Sequence, residues 1–154
     1  MIGRAGLVLF VACLVGSDGC GPPKRELANL SGKITLNGKP VPTGFINFSP
    51  DVQGGNTGES RGFEIKDGVY DTAAGPNPGI YPGANKIYIQ GFDGKVPEGR
   101  NADFWPKGKQ VMNPYTFDLK IETGSNTKDI DVPPSYGQNV KIQPVGDPKA
   151  PGEK

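Results

Sequence analysis

Residues 30–50 read LSGKITLNGKPVPTGFINFSP, and this stretch decides the fold. In its first third, apolar residues or glycine alternate with polar residues. One face would carry Leu30, Gly32, Ile34 and Leu36, and the other would carry Ser31, Lys33 and Thr35. Such alternation is typical of a half-buried β-strand. The next two residues, Asn37 and Gly38, form a dipeptide preferred in tight hairpin turns. The stretch therefore predicts a strand, a turn and a second strand over 45–49.

The same signals recur along the rest of the chain. Lys66, Asp67 and Gly68 separate two short alternating stretches and predict a second hairpin. The full set of predicted strands is 30–36, 45–49 (with Ile46 and Phe48 inward), 62–65, 69–71, 85–92, 116–122, 128–132 and 139–143. No segment keeps a helical period, and the 24 glycines and 16 prolines suit turns between short strands. We therefore expect an all-β fold, a single β-sandwich of seven to eight strands.

The amino-terminal residues carry signals of export. Arg4 is followed by an apolar run over 5–16, which is shorter than the roughly 20 residues that span a bilayer and is typical of a secretory signal peptide. Residues 17–20, SDGC, are similar to a lipobox, in which cleavage occurs just before a cysteine that becomes lipidated. We therefore expect a lipid on Cys20.

Three alternatives remain open at this end: lipidation at Cys13, ordinary signal cleavage, and an uncleaved apolar anchor. Cys13 would leave an apolar run at the short end for a signal peptide. The expected organisation is a signal peptide over 1–19, a lipidated cysteine and tether over 20–28, a sandwich domain over 29–143 and a disordered tail over 144–154.

Four patches of the chain resemble the carboxypeptidase regulatory-like, or transthyretin-like, β-sandwich domains of small bacterial lipoproteins. They are the opening stretch 30–50, the turn and strand 66–70, the proline-glycine segment 75–81, and 127–133, which resembles the closing strand of the family. The resemblance implies a Greek-key sandwich, transthyretin-like or immunoglobulin-like, in an exported protein. It implies no catalytic residues.

Composition argues against several kinds of chemistry. The chain has no histidine, the usual general base and the commonest zinc ligand, and the hydroxyisourate hydrolases of the transthyretin-like branch rely on histidines. Asp129 and Asp131 alternate with core residues, which suggests outer positions rather than calcium ligands. With 17 basic against 16 acidic side chains, nucleic acid is not an expected partner. We predict that the chain is not an enzyme and uses no metal or other cofactor.

The segment 91–113 is longer than a connection needs and holds the only tryptophan. Long excursions are often functional. An aromatic platform with a basic rim could form there, suited to sugar rings or an acidic protein surface, from Phe104, Trp105, Tyr115, Arg100 and Lys107. The alternative is that Phe104 and Trp105 fold back to cover one end of the sandwich.

Together these observations predict a noncatalytic lipoprotein of the cell envelope, anchored to the membrane through Cys20 and acting as a structural or interaction module. Its partner would be an envelope protein or a polysaccharide. The alternative function is a carbohydrate-binding module that uses the aromatic loop around Trp105. Because Gly21 rather than aspartate follows the cysteine, we expect the periplasmic face of the outer membrane or the cell surface.

Overall fold

The structure is a computed structural model that describes residues 25–99 and 101–137. Within these ranges the strands are β1 (Asn29–Leu36), β2 (Lys39–Pro40), β3 (Thr43–Pro50), β4 (Arg61–Lys66), β5 (Val69–Asp71), β6 (Gly83–Phe92), β7 (Tyr115–Ile121), β8 (Ser125–Thr127) and β9 (Ile130–Val132). The helices there are single turns, α1 (Asn101–Phe104) and the 3-10 helix η1 (Pro134–Tyr136). The predicted all-β class is confirmed.

The strands form one curled sheet whose two parts enclose the core. The front layer has the order β4-β3-β6-β7 and is antiparallel throughout. The back layer is built around β1, which pairs with β5 and β2 along one edge and with β8 and β9, in parallel, along the other. Because β5 also pairs with β4, it joins the two layers.

Both predicted hairpin turns are present. Asn37 and Gly38 have φ values of 54° and 69°, and Asp67 and Gly68 have values of 49° and 75°. Two consecutive residues with positive φ are the signature of the turn that matches the right-handed twist of a hairpin. Each of the two dipeptides therefore adopts the turn conformation that its sequence predicts.

The core lies between the layers, and many of its residues are ones that alternation placed inward. Ala28, Val41, Ile80 and Met112 join it from outside the strands. Ile46 and Phe48 are buried, as predicted, and the ring of Phe48 lies 5.9 Å from that of Phe63 and 6.3 Å from that of Tyr70, centroid to centroid. Tyr70 belongs to β5 and Phe63 to β4, so this aromatic group packs the back layer on the front layer. A fully buried large side chain contributes about 1.5 to 3 kcal/mol.

The predicted strand 128–132 is interrupted in the structure. Its first two residues form a bulge that leaves the regular ladder but stays bonded to β1. The Lys128 amide donates to the Ser31 carbonyl (2.8 Å), and the Lys33 amide donates to a carboxylate oxygen of Asp129 (2.8 Å). Asp131 accepts a hydrogen bond from the Thr35 hydroxyl (2.6 Å). The two aspartates therefore tie the last strands to the first one.

Other differences concern the boundaries of the domain. β8 was not predicted, because its sequence SNT is short and wholly polar. It is a strand only because it pairs with β1. Ala28 is buried and exchanges two 2.8 Å backbone hydrogen bonds with Ile80. The predicted signal peptide, Cys20, the strand 139–143 and the tail 144–154 lie outside the described residues. Within residues 25–99 and 101–137, no helix is long and apolar enough to cross a membrane.

The sandwich has two distinct ends. At the first, the tether end, Ala28 pairs with Ile80, and Arg25 donates to the Thr57 carbonyl (2.9 Å). At the second, the distal end, the Asp67–Gly68 turn packs beside the chain that follows β2, since the Gly68 amide donates to the Val41 carbonyl (2.8 Å). The ten residues of β6 run from the tether end to the distal end, a separation of about 30 Å at roughly 3.3 Å per residue.

Substitution of Gly32 by alanine tests the contact that closes the back layer. An added methyl group would collide with the carbonyl of Lys128, so β1 and the bulge must move apart. Because overpacking costs about 1–3 kcal/mol, Gly32→Ala should lower the free energy of unfolding in urea by at least that amount. The neighbouring Lys33→Ala, at an exposed position, should change it by less than about 0.5 kcal/mol. Equal stability of the two variants would contradict the observed contact.

Candidate functional site: a distal loop anchored on the front layer

The long connection between β6 and β7 forms a closed loop at the distal end. Its described residues, 93–99 and 101–110, are hereafter called the distal loop. Asp93 closes its neck: one carboxylate oxygen accepts the amides of Lys95 and Lys109, both at 2.9 Å, and the Asp93 amide donates to the Lys109 carbonyl at 2.8 Å. An isolated bridge between Phe92 and Gln110 continues the ladder of β6 into the neck. The loop is therefore held by defined hydrogen bonds.

Lys107 anchors the distal loop on the outer face of the front layer. Its ammonium group donates to a carboxylate oxygen of Glu64 at 3.0 Å and lies 4.5 Å from the centroid of the Phe45 ring. The Phe45 ring meets the edge of Phe92 at 6.4 Å. Ion pairing and a cation–π contact thus act on one side chain, the ammonium group of Lys107.

Glu64 receives two cations. Besides Lys107, the ammonium group of Lys66 lies 3.2 Å from its other carboxylate oxygen. The hydrogen bond from Lys107, followed by that from Lys66, lowers the pKa of the Glu64 carboxyl below its ordinary value. The carboxylate therefore stays ionised, and the anchor holds, over the whole neutral range.

The aromatic residues of the distal loop differ in exposure. Phe104 ends α1 and is 75% exposed, the largest exposure among the large hydrophobic residues that the structure describes. Trp105 is only partly exposed, and its carbonyl accepts the amide of Gly108 at 2.9 Å in a tight turn. Of the two, Phe104 is the side chain offered to solvent. Arg100 lies outside the described residues.

Tyr115 does not share a surface with the anchor. It pairs with Ile89 of β6, whose side chain is buried, so Tyr115 faces the core side of the front layer. There its ring packs on Phe117 (5.1 Å) and against Tyr136 of η1 (4.8 Å). Phe45, next to the buried Ile46, points to the opposite face. Lys107 and Tyr115 therefore lie on opposite faces of the sheet, and the predicted set does not form one continuous platform.

Sequence reasoning missed Glu64 and Phe45, the two residues on which the distal loop rests. Both are outward positions on neighbouring strands and pair directly in the register of β3 and β4. A charged and an aromatic residue at outward positions could have indicated that another part of the chain packs on this face of the sheet. That they meet Lys107, 43 residues away from Glu64, depends on the path of the loop.

Comparison with solved structures gives a weak likeness of fold. No family model matches the chain, and no curated protein matches it. Among solved structures it is similar to the 5-hydroxyisourate hydrolase of Klebsiella pneumoniae, with 16% sequence identity and a TM-score of 0.34, over 70% of this chain and 91% of that chain. A likeness at this level assigns neither family nor activity.

This finding nevertheless corrects one prediction. We predicted that the chain is not an enzyme. The similar solved structure is a 5-hydroxyisourate hydrolase, and the dependence of those enzymes on histidine was one reason for that prediction. The absence of histidine in this chain excludes one set of catalytic residues and does not exclude catalysis as such. Among the residues that the structure describes, no three acidic, cysteine or histidine side chains form a group that could hold a metal ion.

The pKa of Glu64 tests the anchor directly. Lys107→Met should raise this pKa toward its ordinary value, and Lys66→Met should raise it less, because Lys107 makes the larger contribution. In wild type the pKa of Glu64 is lower in the folded state than in the unfolded state. The ion pair therefore stabilises the fold at pH values above the unfolded-state pKa, and this stabilisation is lost as the pH falls through the folded-state pKa. A carbon-13 NMR titration of the carboxyl measures the effect. An unchanged pKa in Lys107→Met would show that the ion pair does not form in solution.

The single tryptophan reports on the same anchor from inside the loop. Lys107→Ala should make Trp105 easier to quench with acrylamide, because the turn that holds the indole loses its attachment to the sheet. Lys109→Ala is the matched control, since that side chain is exposed and its backbone bonds remain. Identical quenching in the two variants would indicate that the loop is positioned by its neck alone.

Proposed function

We propose that this chain is a lipid-anchored module of the bacterial cell envelope that presents its distal loop to a partner protein. One observation carries the proposal: the chain enters the sandwich at the tether end, and the distal loop lies at the other end of β6. A domain attached in this way exposes the loop to whatever lies beyond the membrane surface.

The tether limits how far the domain can move from the lipid. Seven residues lie between Cys20 and Ala28, so the eight Cα–Cα steps, at about 3.5 Å each, reach at most about 28 Å. The tether end of the sandwich would then face the membrane. Because Gly21 follows Cys20, we propose the periplasmic face of the outer membrane or the cell surface as the location.

The chemistry of the distal loop favours a protein partner. Phe104 is an exposed aromatic side chain on a loop that is already held in place, and preformed aromatic anchors contribute strongly to protein interfaces. A sugar platform built from Trp105 and Tyr115 would need both rings on one surface, and Tyr115 faces the core side of the sheet. The geometry therefore supports the protein partner over the polysaccharide.

Replacement of Cys20 tests the anchor. In the full chain expressed with its amino-terminal segment, Cys20→Ser should move the protein from the membrane fraction to soluble or unprocessed forms. Cys13→Ser is the matched control and should leave fractionation unchanged, because that cysteine would leave with the signal peptide. Metabolic labelling with a clickable fatty acid provides a second measurement. Labelling that persists in Cys20→Ser and disappears in Cys13→Ser would overturn the proposed site.

Photocrosslinking tests which end meets a partner. A benzoylphenylalanine placed at Phe104, which is 75% exposed, should crosslink to an envelope protein in living cells. The same residue placed at Val52, which is 73% exposed but lies at the tether end, should not give that adduct. An adduct formed equally at both positions, or only at Val52, would contradict presentation by the distal loop.

A further inference from the structure

Uncharged residues form a row across the outer face of the front layer. Gly62 of β4 pairs with Asn47 of β3, and Asn47 pairs with Tyr88 of β6. Tyr88 pairs in turn with Thr116 of β7. Successive side chains of a strand alternate between faces, and Ile87 beside Tyr88 is buried, so the row points to solvent.

Longer side chains, most of them charged, flank this row on both sides. On the distal side Lys107 lies against Glu64 and the ring of Phe45. On the tether side the ammonium group of Lys86 lies 3.1 Å from a carboxylate oxygen of Asp118. The two flanking rows are four residues apart along the strands, which is about 13 Å at roughly 3.3 Å per residue. The row between them is the floor of a shallow groove, hereafter the outer groove.

The outer groove is open at both of its sides. β4 pairs with β5 only at Lys66 and Val69 among the described residues, and a cleft of about 420 Å³ opens beside its edge. On the other side β7 is the last strand of the front layer in the described chain. A ligand in the groove can therefore extend past both edges of the layer, as a stretch of a polymer would.

Tyr88 supplies an exposed aromatic ring on the floor of the groove. Phe45 and Tyr88 are each 37% exposed, but Lys107 lies over the ring of Phe45 and Phe92 meets its edge. In the part of the chain that the structure describes, neither another ring nor a cation packs on Tyr88. The ring of Tyr88 is therefore free to stack on a ligand, whereas that of Phe45 is occupied.

The polar groups around Tyr88 are uncharged and unoccupied. They are the half-buried amides of Asn47 and Gln90 and the exposed hydroxyl of Thr116. None of these side chains forms a hydrogen bond to another described residue, since the bonds of this face join the flanking rows. Gly62 leaves room for one amide, because an added methyl group would collide with Oδ1 of Asn47. Each amide can both donate and accept, so the groove presents free hydrogen-bonding groups beside a ring.

We propose that the outer groove binds an uncharged glycan, a short stretch of which lies across the strands with one sugar ring on Tyr88. Hydroxyl or acetamido groups of the sugar pair with the amides of Asn47 and Gln90. The charged groups beside the groove already neutralise one another, so an ionic ligand finds no free counter-charge there. This inference concerns a second surface and does not rest on the lipid anchor or on the partner of the distal loop.

The size of the groove favours a glycan over a protein or a peptide. Four strands give a length of about 14 Å and, with the width of about 13 Å, an area of roughly 180 Å². A stable protein interface buries about 800 Å² on each partner. A peptide cannot add as a strand on this floor, because β3 and β6 are already paired along both edges. A few sugar units match both the area and the side-chain chemistry.

Two soluble oligosaccharides serve as probes: cellopentaose, whose polar groups are hydroxyls, and chitopentaose, which adds acetamido groups. Each is titrated into the nitrogen-15-labelled protein up to about 10 mM, which detects a dissociation constant of about 1 mM. Saturable shifts of the side-chain amide signals of Asn47 and Gln90, and of the backbone amide of Tyr88, are expected from at least one of them. Pentagalacturonate, with a carboxylate on every sugar, should bind about tenfold more weakly or not at all.

Matched variants of the protein locate the site. Tyr88→Ala removes the ring and should weaken binding about tenfold or more, whereas Tyr88→Phe keeps the ring and should lose much less. Gly62→Ala should also weaken binding, because the methyl group displaces the amide of Asn47. Phe104→Ala removes an exposed ring from the distal loop and should bind like wild type. Retained dispersion of the spectrum shows that each variant is folded.

Four outcomes would overturn the inference. They are no saturable shift with either neutral oligosaccharide, equal binding of pentagalacturonate, equal binding by wild type and Tyr88→Ala, or shifts confined to the distal loop. A photocrosslink from position 88 to an envelope protein, without sugar binding, would make this face a protein interface instead. Crosslinking from position 104 is a separate measurement, so failure of the glycan site and failure of the distal loop can be told apart.

Discussion

The fold depends on β1 being paired along both of its edges. On one edge it meets β5 in antiparallel register, and on the other it meets β8 and β9 in parallel, so that Ser31 lies between Asp71 and Thr127. Parallel neighbours require a crossover, and here the crossover is the whole front layer. The back layer therefore cannot close until almost the entire domain is in place. Gly32 belongs to this constraint, because the bulge at Lys128 approaches its backbone too closely for any side chain.

The same route from layer to layer also determines where two surface features lie. Because β5 must leave β4 in order to reach β1, a cleft opens beside β4. Because β6 runs the full length of the sandwich, the connection after it emerges at the end away from the tether. Glu64 belongs to both surfaces: it lines the cleft and holds Lys107 of the distal loop.

Many of the strands could be predicted because the side chains that alternate as apolar in the sequence are the ones that the two layers bury. Ile87 and Ile89 alternate with exposed residues and are buried, and Asn37 with Gly38 can adopt the turn by themselves. β8 could not be predicted, since three polar residues become a strand only beside β1. Of the residues proposed for the candidate site, Phe104 is exposed on the distal loop, whereas Tyr115 is turned to the other face by its register with Ile89, which no local pattern specifies.

Local sequence patterns are sufficient to specify the class of fold, the two hairpin turns, many of the core residues and the unusual length of the segment after β6. These features follow from period-two alternation and from residues that adopt positive φ, both of which act over a few neighbouring positions. Only the tertiary structure decided that Lys107 rests on Glu64 and Phe45, that Asp129 and Asp131 bind β1, and that β4 keeps an open edge. The physical reason is that these contacts join residues far apart in the chain, whose approach depends on how the layers curl and not on any local preference.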